Sequence, residues 1–405
     1  MPGLLRLALL VAIFGAASGA AAQTVPGVPS EPLTLGGGRV VLGGEVAVSI
    51  APEDTGFFNY TNYELTTIRQ LRLAVSGLFR VTEQVAVLGE VRADNLQDVA
   101  PFALYARVRP FPGRRIDVQI GRIPPTFGSF SRRAYSHDNP LIGYPLAYQY
   151  LTSLRADAAA ADAEELLRMR GRGWLSNFTV GNLDAATGVP LVSAFTWDTG
   201  VQVTTGWNVV TVAAAVTNGT ASNPRVSDDN AGKQLAARVS AEPLTGLIVG
   251  GSFARGEFLG RRVRALLDDG RDASYAQRAY GADVEYSRDH WIVRAETVFS
   301  EWQMPLLGVN RSRLPLRAVA TSVEGRYTFF PGFYGAARID HLGFSRIATP
   351  TRVDEWDAPV TRLEIGAGYY LQRNLIARIS VQRNDRDGGR VPVATFVAGQ
   401  LLYWF

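Results

Sequence analysis

From about residue 39 onward, apolar and polar residues alternate, segment after segment. Leu71, Leu73, Val75, Gly77 and Phe79 fall on one face, and Gln70, Arg72, Ala74 and Ser76 on the other. Val85, Val87, Gly89, Val91 and Ala93 alternate with Gln84, Ala86, Leu88, Glu90, Arg92 and Asp94. Phe102, Leu104, Ala106 and Val108 alternate with Ala103, Tyr105, Arg107 and Arg109, and Ile116, Val118 and Ile120 with Arg115, Asp117 and Gln119. A period of two describes extended strands with one face against an apolar phase and one toward water. Sixteen such segments run at about 39–50, 67–79, 85–94, 102–109, 115–122, 190–204, 207–217, 233–241, 247–255, 275–286, 291–301, 316–329, 333–343, 359–370, 375–383 and 392–405. At about 9–14 residues each, they are long enough to cross a membrane as tilted strands.

A soluble sandwich also alternates, but the connections separate the two cases. The odd-numbered ones are long, at about 51–66, 95–101, 123–189, 218–232, 256–274, 302–315, 344–358 and 384–391. The even-numbered ones are tight, at 80–84, 110–114, 205–206, 242–246, 287–290, 330–332 and 371–374. Long loops on one side, short turns on the other and an even strand count describe an outer-membrane barrel; a sandwich has no reason to sort its loops by parity. Aromatic residues gather at six of the seven short turns: Phe79, Phe111, Trp207, Tyr286 with Trp291, Phe329–Phe330 with Phe333–Tyr334, and Tyr369–Tyr370. They fit an interfacial girdle. The expected fold is all-β, a transmembrane antiparallel β-barrel of about 16 strands with a long third extracellular loop.

Residues 1–22 read as a secretory signal, with Arg6, the apolar run Leu7–Phe14 and a small-residue exit at Ala20-Ala21-Ala22. A short periplasmic leader (23–38) then precedes the barrel (39–405). Past residue 22 no stretch approaches the ~20 apolar residues of a membrane helix. Cysteine is absent and there are three histidines, His137, His290 and His341, so neither thiolate nor multi-histidine metal sites are expected, and no cofactor is implied. The net charge of +4, one unit of it in the signal, is too small to suggest nucleic-acid binding. At the other end, Val397, Gly399, Leu401, Tyr403 and Phe405 alternate with Ala398, Gln400, Leu402 and Trp404. This resembles the terminal strand by which Gram-negative outer-membrane proteins are recognised for insertion. It makes Leu401, Tyr403 and Phe405 the candidate insertion signal, and the bacterial outer membrane and its lipids the expected surroundings.

With the apolar face toward lipid, the polar face lines a lumen. Its charges recur in pairs: Glu90-x-Arg92-x-Asp94, Arg115-x-Asp117, Asp283-x-Glu285, Arg294-x-Glu296, Glu324-x-Arg326, Arg338-x-Asp340 and Arg362-x-Glu364. Arg72, Arg107, Arg109, Arg238 and Arg378 add positive charge without an acid at the same spacing. Two readings stand. The lumen is a water-filled channel with a mild preference for anions, or the paired charges zip the wall together across strands. A barrel of this size leaves an aqueous channel unless something narrows it. The third loop is rich in aromatic and proline residues over Gly121–Arg155 and continues into a short helical stretch at 156–170. Long ordered loops are usually functional. Folded inward, Arg132, Arg133 and Arg155 would form a positive constriction beside Arg72, Arg92, Arg107, Arg109 and Arg378.

The run Arg122–Gly128, with Pro124-Pro125 and Phe127-Gly128 after a strand, resembles a segment of the phosphate-selective porin (O/P-type) family. So do Ala215–Gly256, with Asn218-Gly219, Asp229-Asn230, Lys233 and a Pro243 turn, and Ala367–Asp385. The resemblance implies a sixteen-stranded porin, commonly a homo-trimer, passing small solutes, anions such as phosphate among them, through a loop-narrowed pore. Phosphate-selective members use an arginine ladder and a lysine cluster; this chain has arginines but one lysine, Lys233. The expected function is an outer-membrane porin for passive diffusion of small hydrophilic solutes, not an enzyme. Its rivals are a plugged structural or adhesion barrel and an outer-membrane barrel enzyme. For the enzyme, Ser136 and His137 are sequence neighbours, but a triad is recognised by geometry. Asp228-Asp229-Asn230 lacks the spacing of an EF-hand calcium loop.

Overall fold

A computed structural model describes residues 29–405, apart from 62–64, 98, 112, 134, 229–231, 268–273 and 307–311, and apart from the side chains of Arg132, Leu306 and Ser312–Leu314. The signal segment lies outside the described residues. Sixteen antiparallel strands close into one barrel: β1 Val40–Ile50, β2 Gln70–Arg80, β3 Val85–Asp94, β4 Ala100–Val108, β5 Ile116–Ile123, β6 Asp198–Trp207, β7 Val210–Thr217, β8 Gln234–Leu244, β9 Leu247–Glu257, β10 Ala276–Arg288, β11 Trp291–Leu306, β12 Ser312–Phe330, β13 Phe333–Phe344, β14 Val360–Gln372, β15 Leu375–Arg386 and β16 Val393–Trp404. Each strand pairs with its sequence neighbour, and β1 pairs with β16 from Glu45↔Trp404 to Ile50↔Gly399. Phe405 extends this seam by exchanging backbone hydrogen bonds with Gly44. A Cβ at Gly44 would lie 2.6 Å from the Phe405 ring, so a larger residue there would have to displace that ring.

The burial pattern follows the alternation. On β14, Val360, Arg362 and Glu364 are buried toward the lumen, while Thr361, Leu363 and Ile365 face out. Val46, Val75, Val203, Val239, Val284, Val323 and Leu401 belong to the exposed apolar exterior. A barrel with such an exterior belongs in a membrane, and its even strand count and sorted loops place it in the bacterial outer membrane. Phe79, Phe111, Trp207, Tyr286, Trp291, Phe329 and Phe330 are all exposed at the short-turn end, as an interfacial girdle requires. Tyr334 departs from the girdle: it turns inward, is buried, and donates to Pro140 O at 3.0 Å.

Two elements differ from expectation. The sixth strand begins at Asp198, not at 190, because Leu191, Val192 and Ala194 are buried in the third loop's own core; their apolar run serves packing instead of alternation. Phe102 was expected to face lipid with Leu104. A register shift at Glu90/Val91 against β4 turns it inward, where it is buried beside Trp197.

The third loop, 124–197, folds into the barrel and supplies its core. Phe130, Tyr144, Tyr148, Tyr150, Leu154, Leu166 and Leu191 pack against Val298, Trp302, Leu316, Leu342 and Phe396 of the wall. The inward wall is small where the loop needs room, with Ala236, Ala254, Ala279, Ala318, Ala320 and Ala398 buried beneath it. Helices α1 (Leu146–Gln149) and α2 (Ala163–Arg168) lie within the loop. Asp162 caps α2 by accepting from Glu165 N at 2.8 Å, while 158–159 form a short ribbon with 180–181 instead of the expected longer helix.

Candidate solute path

The loop is fastened to the wall around the barrel's circumference. Thr126 bonds to Gln202 on β6 (2.6 Å), Gly128 N to Ser252 on β9 (3.0 Å), and Ser129 N and the Tyr148 hydroxyl to Glu296 on β11 (2.7 and 2.6 Å). Arg133 reaches Glu324 on β12 (3.4 Å), and Gly143 N donates to Glu364 on β14 (2.9 Å). A Cβ at Gly143 would sit 2.5 Å from the Glu364 carboxylate, so the loop approaches that close only as glycine. On β15, Arg378 donates to Ser136 O at 2.7 Å. Across the closing seam from β15, His137 bonds to Glu45 on β1 and Tyr135 to Glu90 on β3, both at 2.8 Å.

The lumen charges divide into two sets. From β8 to β14 they form a buried ionic belt. Arg238 pairs with Asp283 (2.6 Å), and Arg294 with Glu285 (2.6 Å) and Glu324 (3.2 Å). Arg338, wholly enclosed, meets Glu364 (2.8 Å), Asp340 (3.1 Å) and Glu324 (3.3 Å). From β1 to β6 recesses lie beside the wall: Arg72, Glu90 and Arg92 are buried in their pairs, while Arg107 and Arg109 are partly exposed. Arg72 pairs with Asp94 (2.9 Å), and Arg92 bonds to Glu90 (2.5 Å) with its guanidinium 3.3 Å from the Phe102 ring centroid. Arg107 and Arg109 share Asp117, and the Arg109 side chain is 59% exposed.

These placements correct the expectation of unbalanced positive charge. Arg72, Arg107 and Arg109 each have an acid on the neighbouring strand and Arg238 one two strands away, where sequence spacing cannot show it. Arg378 is held by backbone carbonyl and Gln400, not left free. Arg155 is also corrected. Its guanidinium is enclosed inside the loop by a bidentate bond to Asp157 (2.9 and 2.8 Å) and by the carbonyls of Ser176 and Asp184, so it braces the loop instead of facing a solute. Arg133 lies against β12 as described, and the Arg132 side chain lies outside the described residues. Leu401, Tyr403 and Phe405 stand on the outward face of the closing seam.

Three recesses open along the β1–β6 wall. One of about 700 Å³ is lined by Glu45, Ala74, Glu90, Tyr135, His137 and Trp404, with the leader residues Ser30–Pro32 at its mouth. A second, about 430 Å³, shares Glu90, Tyr135 and His137 and extends to Ala103 and Trp197. A third, about 530 Å³, lies near the short turns and is lined by Arg107, Arg109, Arg114, Arg115, Asp117 and Glu83. His137 stands between loop and wall, its ring stacked on Trp404 at 5.6 Å. Burial disfavours its charged form, but the bond to Glu45 and the charges of Asp138 and Glu45 outweigh this, so its pKa lies above the ordinary histidine value. Sequence reasoning missed Glu45, Tyr135 and Trp404. Strand parity placed Glu45 and Trp404 on the inward face, but only the loop's path brings them together.

A closed sixteen-stranded barrel with an apolar exterior and an inward-folded third loop is the architecture of the outer-membrane porins. Three solved structures similar to the chain are an anion-selective porin from Comamonas acidovorans, the outer membrane channel DcaP of Acinetobacter baumannii, and OmpT of Vibrio cholerae in its trimer form. The first aligns with TM-score 0.54 and 9% identity over 90% of this chain and 99% of that one. DcaP gives 0.54 and 10% over 93% and 100%, and OmpT 0.52 and 12% over 90% and 99%. At these identities the likeness establishes the fold. No protein-family model and no curated protein matches the sequence.

Proposed function

We propose that the protein is an outer-membrane porin through which small hydrophilic solutes pass by passive diffusion, along the β1–β6 wall instead of the barrel centre. The observation that carries this reading is the row of recesses between the loop tip and that wall, lined by Glu45, Glu90, Arg107, Arg109 and Asp117. Charged side chains bordering open space need water, and water there is the medium a polar solute shares. A mild anion preference is part of the proposal. Four arginines face two acids in the recess near the short turns. Phosphate specificity is not: Lys233 is tied to Asp228 and Asn218 in an outer loop.

A homo-trimer completes the reading. β4, β5 and β7 span nine, eight and eight residues, against nineteen for β12. Strands of that length are at the short limit for lone contact with a bilayer, and neighbouring copies would cover the low side of the wall. The loop's contacts around the circumference favour a second reading, a plugged barrel. Planar-bilayer recording under a KCl gradient separates them. Discrete steps with a reversal potential favouring chloride support the anion-preferring porin; steps favouring potassium keep the porin and hand selectivity to Glu45 and Glu90. Silence from a folded, heat-modifiable barrel rejects the channel.

A further inference from the structure

Positive charge also concentrates outside the barrel, on the lipid-facing side of β9–β12. The outward residues of β9 run Phe253, Arg255 and Glu257 toward the long-loop edge, and those of β10 include Tyr280 and Arg278. On β11 and β12 the same level holds Glu301 and Arg317. Register sets these side by side: Arg255 opposite Arg278, Arg278 opposite Glu301, Glu301 opposite Arg317. Glu301 serves both neighbours, at 2.8 Å to Arg317 and 3.7 Å to Arg278. Among the described residues no carboxylate lies within ion-pair distance of Arg255, which is exposed and faces another arginine. Like charges directly opposite destabilise a sheet, and Glu257, next on that face of β9, is engaged by Arg264, Ser274 and Tyr275, so an external anion would relieve the Arg255–Arg278 pair.

The surface just below is apolar and aromatic. Phe253, Tyr280 and Phe299 are consecutive cross-strand neighbours, with ring centroids 5.4 and 6.0 Å apart, followed by Val319. Eight residues separate Arg278 from Tyr286 of the opposite girdle, about 27 Å along the strand. Once tilted, that covers most of the roughly 25 Å apolar band of such barrels. The arginines therefore stand where the headgroups of the outer leaflet begin, above a surface shaped for acyl chains.

We propose that Arg255, Arg278 and Arg317 form a binding site for the phosphorylated headgroup of an outer-leaflet lipid, whose acyl chains lie along Phe253, Tyr280 and Phe299. Guanidinium groups bind phosphate through paired, charge-assisted hydrogen bonds, and each basic group near a membrane surface adds to anionic-lipid affinity. Free phosphate shares the headgroup chemistry but has no use for the aromatic strip. The site makes no use of the pore, so it stands or falls separately from channel function.

The test uses the full-length protein in phosphatidylcholine nanodiscs, titrated with lipid A or with dephosphorylated lipid A, with bound lipid counted by native mass spectrometry. Wild type is expected to bind the phosphorylated form at least about tenfold more tightly. The triple variant R255Q/R278Q/R317Q should lose that preference while keeping heat-modifiable folding and wild-type channel conductance. R383Q removes an exposed outward arginine on β15 whose cross-strand neighbours are Leu363 and Thr395, and should bind like wild type. Equal binding by the triple variant overturns the proposal, as does an equal loss in R383Q. Displacement of lipid A by millimolar inorganic phosphate alone would assign the arginines to a free anion and overturn it too.

Discussion

The two halves of the lumen wall obey the same alternation yet put their charges to different use. Between β8 and β14 the inward arginines and carboxylates are packed under the third loop and pair with one another; Arg338 alone meets three acids. Between β1 and β6 a similar set of residues borders recesses, and Arg109 remains largely exposed. Loop coverage makes the difference. A covered charge must find a partner, because burying it alone is costly, whereas an uncovered one is free to meet a passing ion. On the proposed reading, the wall is a scaffold on one side and a filter on the other.

The largest effect should come from breaking the scaffold. Arg338→Gln leaves Glu324, Asp340 and Glu364 buried without their shared cation, and loss of one partner of a buried pair costs about 3–5 kcal/mol. Arg109→Gln, on an exposed partner of Asp117, should change stability by about 1 kcal/mol or less. Thermal loss of heat-modifiable migration in detergent reads both, and equal melting of the two variants would dissolve the distinction between the halves. A second, smaller effect concerns the loop. Gly143→Val drives a side chain into Glu364 and Gln382 and should push the loop off β14. Single-channel conductance should then rise, while Gly325→Ala, on β12 where a Cβ meets nothing, leaves it unchanged.

The filter side predicts a change in selectivity without a change in folding. Arg107→Gln with Arg109→Gln removes two of the four arginines around the third recess, leaving Asp117 without either partner. The reversal potential in a KCl gradient should move toward potassium at near-normal melting. The same exchange at Arg155 should leave selectivity unmoved and destabilise the loop, since Arg155 holds Asp157 and two loop carbonyls. A selectivity shift from Arg155 and none from the Arg107 and Arg109 pair would reverse the assignment.

The sequence made the strands legible because period-two alternation is a local signal, and loop parity supplied their order. The ion-pair partners were not legible. Arg294 and Glu324 lie thirty residues apart and meet only through register. The stretch Pro190–Trp197 misled because an apolar run looks alike in a strand and in a buried loop, and Phe102 misled because a bulge inverts parity without leaving a mark in composition. For the site, alternation put Arg107 and Arg109 on the inward face, but residue type could not tell them from Arg155, which the loop encloses. The contact of His137 with Glu45 could not, since it depends on where a loop of seventy-odd residues comes to rest.

That contact gives the smallest predicted effect. His137 gains Glu45 as a partner on folding, and its raised pKa means the protonated form binds more strongly in the folded barrel. The charges facing it are Glu45 from β1, its neighbour Asp138, and Arg378 of β15, which opposes protonation. The stabilisation is fully present below the ordinary histidine pKa of about 6.5 and is lost as pH rises through the elevated folded value. Raising pH from 5.5 to 8.5 should therefore loosen the loop tip from β1 without unfolding the barrel. Amide exchange at Tyr135–Asn139 should quicken at the higher pH beyond the intrinsic base-catalysed increase, and channel noise should rise with it. In His137→Asn, which keeps a hydrogen-bond donor but cannot titrate, both should lose their dependence on pH. Persistence of that dependence in the variant would move the switch to another group and leave the loop tip a fixed part of the filter wall.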